Sequence, residues 1–439
     1  MYPFIIPNIV FVKGLAAYGV YDLNNGAFHR LTIEAGNLLC SLDGKKHVSC
    51  FSLEERAFFD IAKSKLLVDY QSEPQYREQT TLREVLHENR PVKFAWIELT
   101  SKCNQNCLHC FMGTDLNAYR HLDTIKICSY IDVLHSQGIS QLVLTGGEPT
   151  LHPDFEKILD HAAQYDMSIS LLTNGTTEQL IEALPKLRAY GVKSKISILG
   201  WEDAHDKMVG VKGAFRKLLN TIDRFIENRT PIELGMTVCS INISDVNVVR
   251  KYANDKGIRL EVSPIYPTGR ARDNYEILFQ NTQREFITEC QRDKKEKTDR
   301  LIEFESPKRV IKPTQITDYE AVDLREYLTN SFECGQKIIA ILSSSKVSPC
   351  LLLRKPPYII GDLNVTKLEN ILDYHNQQRQ SFNELMSLSN IQECNKCEAL
   401  YICKGGGCIA ITESKCGNIK CKNPYYSECY YTRREKHEE

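Results

Sequence analysis

The placement of cysteine constrains this chain more than any other feature. Of its 17 cysteines, nine fall between Cys334 and Cys429, in the C-terminal quarter of 439 residues. Dense cysteine means disulfides chiefly in small secreted chains. This chain is long, and its start, Met1-Tyr-Pro-Phe-Ile-Ile-Pro, has no basic stretch before an apolar core and no small-residue cleavage site. An odd total also fits disulfide pairing poorly. Thiolates kept reduced for metal are the better reading, which predicts a reducing, cytoplasmic setting. The rest of the composition is ordinary. Apolar residues at 42% and charged residues at 25% describe a globular chain. Its 55 basic and 56 acidic side chains give no general nucleic-acid surface. No run of about 18 apolar residues predicts a membrane span.

Length suggests two to four domains at about 100–200 residues each. Residues 9–30 read as a small meander: Val10–Val12 and Ala17–Tyr21 are β-prone, Asn24-Asn25-Gly26 turns, and Ala27–Leu31 follows. Thr32 suits the cap of a helix carrying Ala35, Leu38, Leu39 and Leu42, and Asp43-Gly44 ends it. A second helix is expected from Ser52 to about Leu67. Together these make a compact winged-helix-like module over 1–72, with a polar linker over 73–92. From Phe94 the rhythm becomes strand–helix. Strands are predicted at Phe94–Leu99, Gln141–Thr145, Ser168–Thr173, Lys195–Leu199, Ile232–Val238 and Arg259–Ile265. Repeated β–α units imply an α/β fold, with a parallel sheet and a ligand site at the carboxyl ends of its strands. Past Cys334 cysteine and glycine set the pattern, as where metal clusters replace an apolar core.

Two motifs carry chemistry. Cys103-Asn-Gln-Asn-Cys107-Leu-His-Cys110 follows the first strand of the repeat. Four thiolates usually hold a [4Fe–4S] cluster. Three close ones leave an iron without a protein ligand and open to a small molecule. The plain alternative is structural zinc with a distant fourth ligand such as His109. The second motif is Thr145-Gly146-Gly147-Glu148-Pro149 at the end of the second strand. Its glycines let the backbone approach a ligand closely, and Glu148 can accept from an ammonium group. By itself it reads equally as a tight turn.

Together these motifs resemble the radical S-adenosylmethionine (SAM) enzymes. The resemblance continues through Thr173-Asn174-Gly175, Ser197-Ile-Leu-Gly200, His205-Asp206, Gly213-Ala-Phe215 and Pro267-Thr-Gly269-Arg270-Ala271. It implies a partial (β/α)6 barrel over 93–310. It implies that Cys103, Cys107 and Cys110 hold a cluster whose open iron binds SAM, cleaved reductively to a 5′-deoxyadenosyl radical. Gly146, Gly147 and Glu148 would meet the methionyl amino group, Ser197 the ribose or carboxylate, and Asn174 the cofactor beside them. Where the family often carries Arg-Gly after the fourth strand, this chain has Val209-Gly210, and Lys212 is the substitute anchor for the carboxylate.

The cysteine-rich end, residues 330–439, resembles a SPASM auxiliary-cluster domain. That likeness implies an inner [4Fe–4S] cluster on Cys334, Cys350 and Cys408. It implies an outer one on Cys394, Cys397 and Cys403 with Cys421 or Cys429, Cys416 completing the inner site or staying free. The alternative is a zinc ribbon. Cys40, Cys50, Cys128, Cys239 and Cys290 read as ordinary core or surface residues. The N-terminal module resembles a precursor-peptide recognition element, in which a leader peptide adds as a strand to a sheet edge. The expectation is a cytoplasmic peptide maturase with three [4Fe–4S] clusters and SAM, forming a thioether or carbon–carbon cross-link in a ribosomal precursor peptide. It would draw electrons from a flavodoxin or ferredoxin and bind neither nucleic acid nor membrane. The rivals are a side-chain oxidase resembling anaerobic sulfatase maturases, and a non-catalytic peptide-binding or electron-transfer partner.

Overall fold

The computed structural model describes residues 1–86, 92–113, 119–278, 316–319, 331–332, 334–335, 337–404 and 408–421. Cys290 and Cys429 lie outside them. At the N-terminus, β1 (Tyr2–Ile5) precedes a meander of β2 (Ile9–Lys13), β3 (Tyr18–Asp22) and β4 (Ala27–Leu31). Thr32 caps α1 (Ile33–Cys40) by accepting from the Ala35 amide. A reciprocal capping box between Ser52 and Glu55 starts α2 (Leu53–Ser64). β5 (Val68–Gln71) then returns to pair antiparallel with β1. Both helices press Leu39, Phe58, Phe59 and Ala62 onto the meander, a core separate from the main one. The stretch expected as a linker is tied down. The Arg77 amide donates to the Asp43 carbonyl, the Asn8 amide to Thr80 Oγ1, and a short helix, α3 (Leu82–Val85), follows.

The central sheet contains the six predicted strands: β6 (Phe94–Thr100), β7 (Gln141–Gly146), β8 (Ser168–Thr173), β9 (Lys193–Ser197), β10 (Ile232–Val238) and β11 (Arg259–Pro264), all parallel. Between them run α4 (Thr124–Ser136), α5 (Phe155–Ala162), α6 (Glu178–Glu182), α7 (Leu184–Ala189), α8 (Asp203–Val209), α9 (Ala214–Glu227) and α10 (Val246–Asp255). One face of each strand packs on the helices: Ile97, Leu144, Leu171, Ile196, Leu234 and Val262 all lie in the main core. Alternation turns the neighbouring residues to the other, concave face.

The C-terminal half does not stand apart. β12 (Ile316–Tyr319) pairs with β4, Ile316 opposite Leu31, and so adds a fourth strand to the N-terminal sheet, ordered β12-β4-β3-β2. β13 (Ile338–Ile341) runs parallel beside β6. β14 (Lys346–Ser348) and β15 (Gly361–Asp362) continue antiparallel, making a sheet of nine strands among the described residues. The partial barrel is therefore extended at its β6 edge by strands from the cysteine-rich region.

Candidate active site

The first cysteine motif lies in the loop that leaves the carboxyl end of β6. Its three thiols are electrostatic neighbours. Burial pushes the Cys103 thiol up to about 11, with further raising from Glu148 and Cys110. Burial pushes Cys107 up as well, and the charge of Arg270 opposes it. Such desolvated thiols lose their protons to a metal far more readily than to water. Among the described residues no three His, Cys, Asp or Glu side chains close on one point as ligands of a single ion would.

The two glycines of the next strand end do something the sequence reading did not anticipate. A Cβ on Gly146 would lie 2.4 Å from the Thr100 carbonyl oxygen, and one on Gly147 2.4 Å from that of Lys102. The amides of Gly147 and Glu148 donate to those same two carbonyls, each at 2.8 Å. The close approach is to the root of the cysteine loop, so this pair fixes where the thiols sit. Glu148 is fully buried. One of its oxygens accepts from the Thr150 and Thr173 hydroxyls at 2.7 and 2.8 Å, and the other from the Asn174 amide at 2.8 Å. Burial nevertheless holds its carboxyl above the usual range. Asn174 Nδ2 in turn reaches Asn104 Oδ1 at 2.7 Å and Cys103 Sγ at 3.8 Å. Thus Gly146, Gly147, Glu148 and Asn174 form one network around Cys103.

Two further segments close on the loop. α8 ends at Gly210 in left-handed conformation, and the Asn106 and Leu108 amides donate to the Val209 and Met208 carbonyls. Val209 is buried among Leu199, Met208 and Cys239 with Cys107 and Leu108 at its side, an apolar setting. His205 accepts the Leu199 amide, and Asp206 accepts the Phe215 amide at 2.8 Å and that of Gly213. The His-Asp and Gly-Ala-Phe motifs therefore lock the α8–α9 turn. Ser197 is exposed at the end of β9, and Lys212 is exposed in the turn. After β11, Gly269 has φ +54°, and a Cβ there would meet the Cys110 and Phe111 carbonyl oxygens at 2.4 Å. Arg270 bonds Asn106 Oδ1, and its backbone amide donates to the Cys110 carbonyl. His109, the alternative zinc ligand, is half-buried near Arg270, and desolvation with that charge lowers its ring to about 4. Arg270 was already part of the sequence motif, but its contact with Asn106 was not legible, because the two lie 164 residues apart.

The concave face of the sheet is polar. Lys195 on β9 reaches Glu261 on β11 at 2.8 Å and lies 3.9 Å from Glu233. It crosses β10 at Gly235, where a Cβ would come within 2.8 Å of Lys195 Cε. On β6, fully buried Glu98 takes a two-pronged contact from Arg354, one arm at 3.0 Å, and accepts the Ser343 amide at 3.0 Å.

That arginine leads to the second cysteine group. Cys334 donates to Cys350, whose thiol is lowered to about 7 by that bond first, then by the Leu352 and Leu353 amides and Arg354. Cys416 is in contact with Cys421. Cys394 is buried, its amide donating to the Ile391 carbonyl, and the Cys397 amide donates to the Cys394 carbonyl. Cys403 ends the turn of Leu400–Cys403, and Cys408 precedes the helix Ile409–Cys416. Both groups offer what iron–sulfur clusters take: several thiols on short loops, most of them partly desolvated. No helix among the described residues is long and apolar enough to cross a membrane.

Comparison with known proteins adds the following. Residues 97–253 match the radical SAM superfamily, and residues 333–398 match the SPASM iron–sulfur cluster-binding domain. The AdoMet-dependent heme synthase of Methanosarcina barkeri is 28% identical, the match covering 78% of this chain and 97% of that protein. The sporulation killing factor maturation protein SkfB of Bacillus subtilis is 27% identical over 42% of this chain and 45% of its own. Among solved structures, Streptococcus suis SuiB bound to S-adenosylmethionine superposes with a TM-score of 0.58 at 13% identity, covering 97% of this chain and all of that one.

Proposed function

Since the chain carries a radical SAM core joined to a SPASM iron–sulfur domain, we propose that it is a maturase of ribosomally made peptides. A [4Fe–4S] cluster held at such a core would supply reductive cleavage of SAM and, through it, the abstraction of a hydrogen atom from substrate. The residues of this chain have separate tasks around it. Cys103, Cys107 and Cys110 hold the cluster. Gly146 and Gly147 seat the loop against β7, while Glu148 and Asn174 order the cofactor's side of it. Ser197 and Lys212 stand at the ribose and carboxylate end. Arg270 offsets negative charge beside Cys107. The polar concave face, with Lys195 between its two glutamates, receives the substrate and orients it.

Two auxiliary clusters on the C-terminal thiols complete the reading: Cys334 and Cys350 with Cys408, and Cys394, Cys397 and Cys403 with Cys421 or Cys429. The Cys416–Cys421 contact favours placing Cys416 with the latter set. The net reaction is an oxidation: a thioether or carbon–carbon cross-link forms as two hydrogens leave. One goes to 5′-deoxyadenosine. The other departs as a proton and an electron; clusters held by the C-terminal thiols would supply an acceptor for that electron, while an external donor such as a flavodoxin or ferredoxin would supply the electron that SAM cleavage consumes.

The observation that carries the peptide reading is the N-terminal sheet, whose β2 lies at the end of the strand order. Edge strands accept an added strand. The maturation protein SkfB among the relatives supports it. The test is anaerobic incubation of reconstituted protein with SAM, reductant and a precursor peptide encoded beside its gene. A loss of hydrogen mass from the peptide is expected. A second reading, haem synthesis, is favoured by the near full-length match to the archaeal heme synthase. An unchanged peptide together with turnover of a haem precursor would select it.

A further inference from the structure

The N-terminal sheet does not merely neighbour the cysteine-rich region; it grips one loop of it. Glu398 follows Cys397 directly. Its carboxylate lies 2.7 Å from Arg30 Nε on β4, with the side chains only 8% and 3% exposed. Its backbone carbonyl accepts the Tyr21 hydroxyl of β3 at 2.9 Å. Next along, the Leu15 amide donates to the Lys396 carbonyl at 3.1 Å. Gly19 has no space for a side chain, because a Cβ there would sit 2.4 Å from the Glu398 carbonyl oxygen. Ala399 is buried with Val10, Tyr21 and Phe28, and Cys397 and Tyr401 pack on the same patch.

A buried ion pair is a poor adhesive, since its desolvation cost offsets most of the attraction. What it supplies is a fixed geometry: removing either partner leaves a charge without compensation, so the loop has one seat. That seat lies beside Cys394 and Cys397. Residues that orient ligands in this way tune a metal site as much as the ligands do. We infer that the N-terminal sheet is a structural wall of the outer auxiliary-cluster site, with Arg30 and Tyr21 acting through Glu398 as positioning residues for the Cys394–Cys397 turn. The inference rests on the reading that this turn holds iron. A peptide strand added to the same sheet would then bear directly on the cluster's surroundings.

The experiment uses the full chain, reconstituted anaerobically, and follows iron release to a ferrous chelator together with the electron paramagnetic resonance spectrum after reduction. About a third of the iron, one cluster of three, is expected to leave at least ten times faster from Arg30→Gln. From Tyr21→Phe, which removes a single hydroxyl, it should leave several-fold faster, with a changed auxiliary signal in both. Arg30→Lys should restore part of the retention. Release and spectra identical to the parent in both Arg30→Gln and Tyr21→Phe would overturn the inference. Should Arg30→Gln fail to fold, Tyr21→Phe alone decides. A Cys394→Ser chain that keeps all its iron would overturn the reading beneath it as well, which separates the two failures.

Discussion

Glu148 keeps a carboxylate where water cannot reach it, and four donors from three residues are what make that tolerable. An amide in its place would turn an NH2 group toward one of those donors. Glu148→Gln should therefore lower stability by about 1–3 kcal/mol and weaken SAM binding, measurable by denaturant titration and by equilibrium dialysis. Replacing Cys103, Cys107 and Cys110 together with Ala should abolish 5′-deoxyadenosine formation and remove about four irons per chain. Unchanged cleavage would exclude this loop as the reaction centre. His205 gives a pH dependence. Burial lowers its ring to about 4, while in the unfolded chain it titrates near 6.5. Between those values the unfolded state binds the extra proton, so stability rises with pH. Acidifying from about 7 toward 4 should cost up to about 3 kcal/mol. His205→Asn should flatten that part of the curve.

At the scale of elements, the six core strands were legible because each places apolar residues at a strand before a helical stretch, though β9, Lys193–Ser197, lies two residues earlier than the expected Lys195–Leu199. The observed Ile232–Val238 and Ser168–Thr173 coincide with the expectation. β13 and β14 were not legible. At four and three residues, next to cysteines, they carry no periodicity of their own and exist because β6 offers an edge. Nor could local sequence reveal that Glu98 meets Arg354, since nothing near either residue encodes a partner so distant. The cysteine spacing was readable, but the reason for the glycines was not: a turn glycine looks the same whether a ligand or another loop approaches it. Gly269→Ala tests this. Its added methyl collides with backbone rather than a yielding side chain, and its φ disfavours any other residue. The variant should lose the iron of the Cys103 loop while retaining the C-terminal iron, seen by iron counting alongside circular dichroism.

For the molecule as a whole, the N-terminal module engages the C-terminal half of the chain, through β12 on β4 and through the loop around Cys397. Deleting residues 1–72 should abolish leader-peptide binding in a fluorescence-anisotropy assay. Uncoupled SAM cleavage should continue, because the Cys103 loop and its supporting contacts all come from residues after Phe94. Undiminished leader affinity would move the peptide site to the barrel mouth or the cysteine-rich region and leave the module a packing role.

The pairing of β13 with β6 has a consequence for synthesis. β6 emerges from the ribosome about 240 residues before its neighbour does. At about 5–20 residues per second, its outer edge waits roughly 12–50 s unpaired, while β7 already holds the other side. During that interval the nascent chain presents the kind of edge that recruits strands from other chains. Slower initiation or a holding chaperone, by thinning out neighbouring nascent chains or shielding the edge, should raise the yield of native protein more than any change to the thiols.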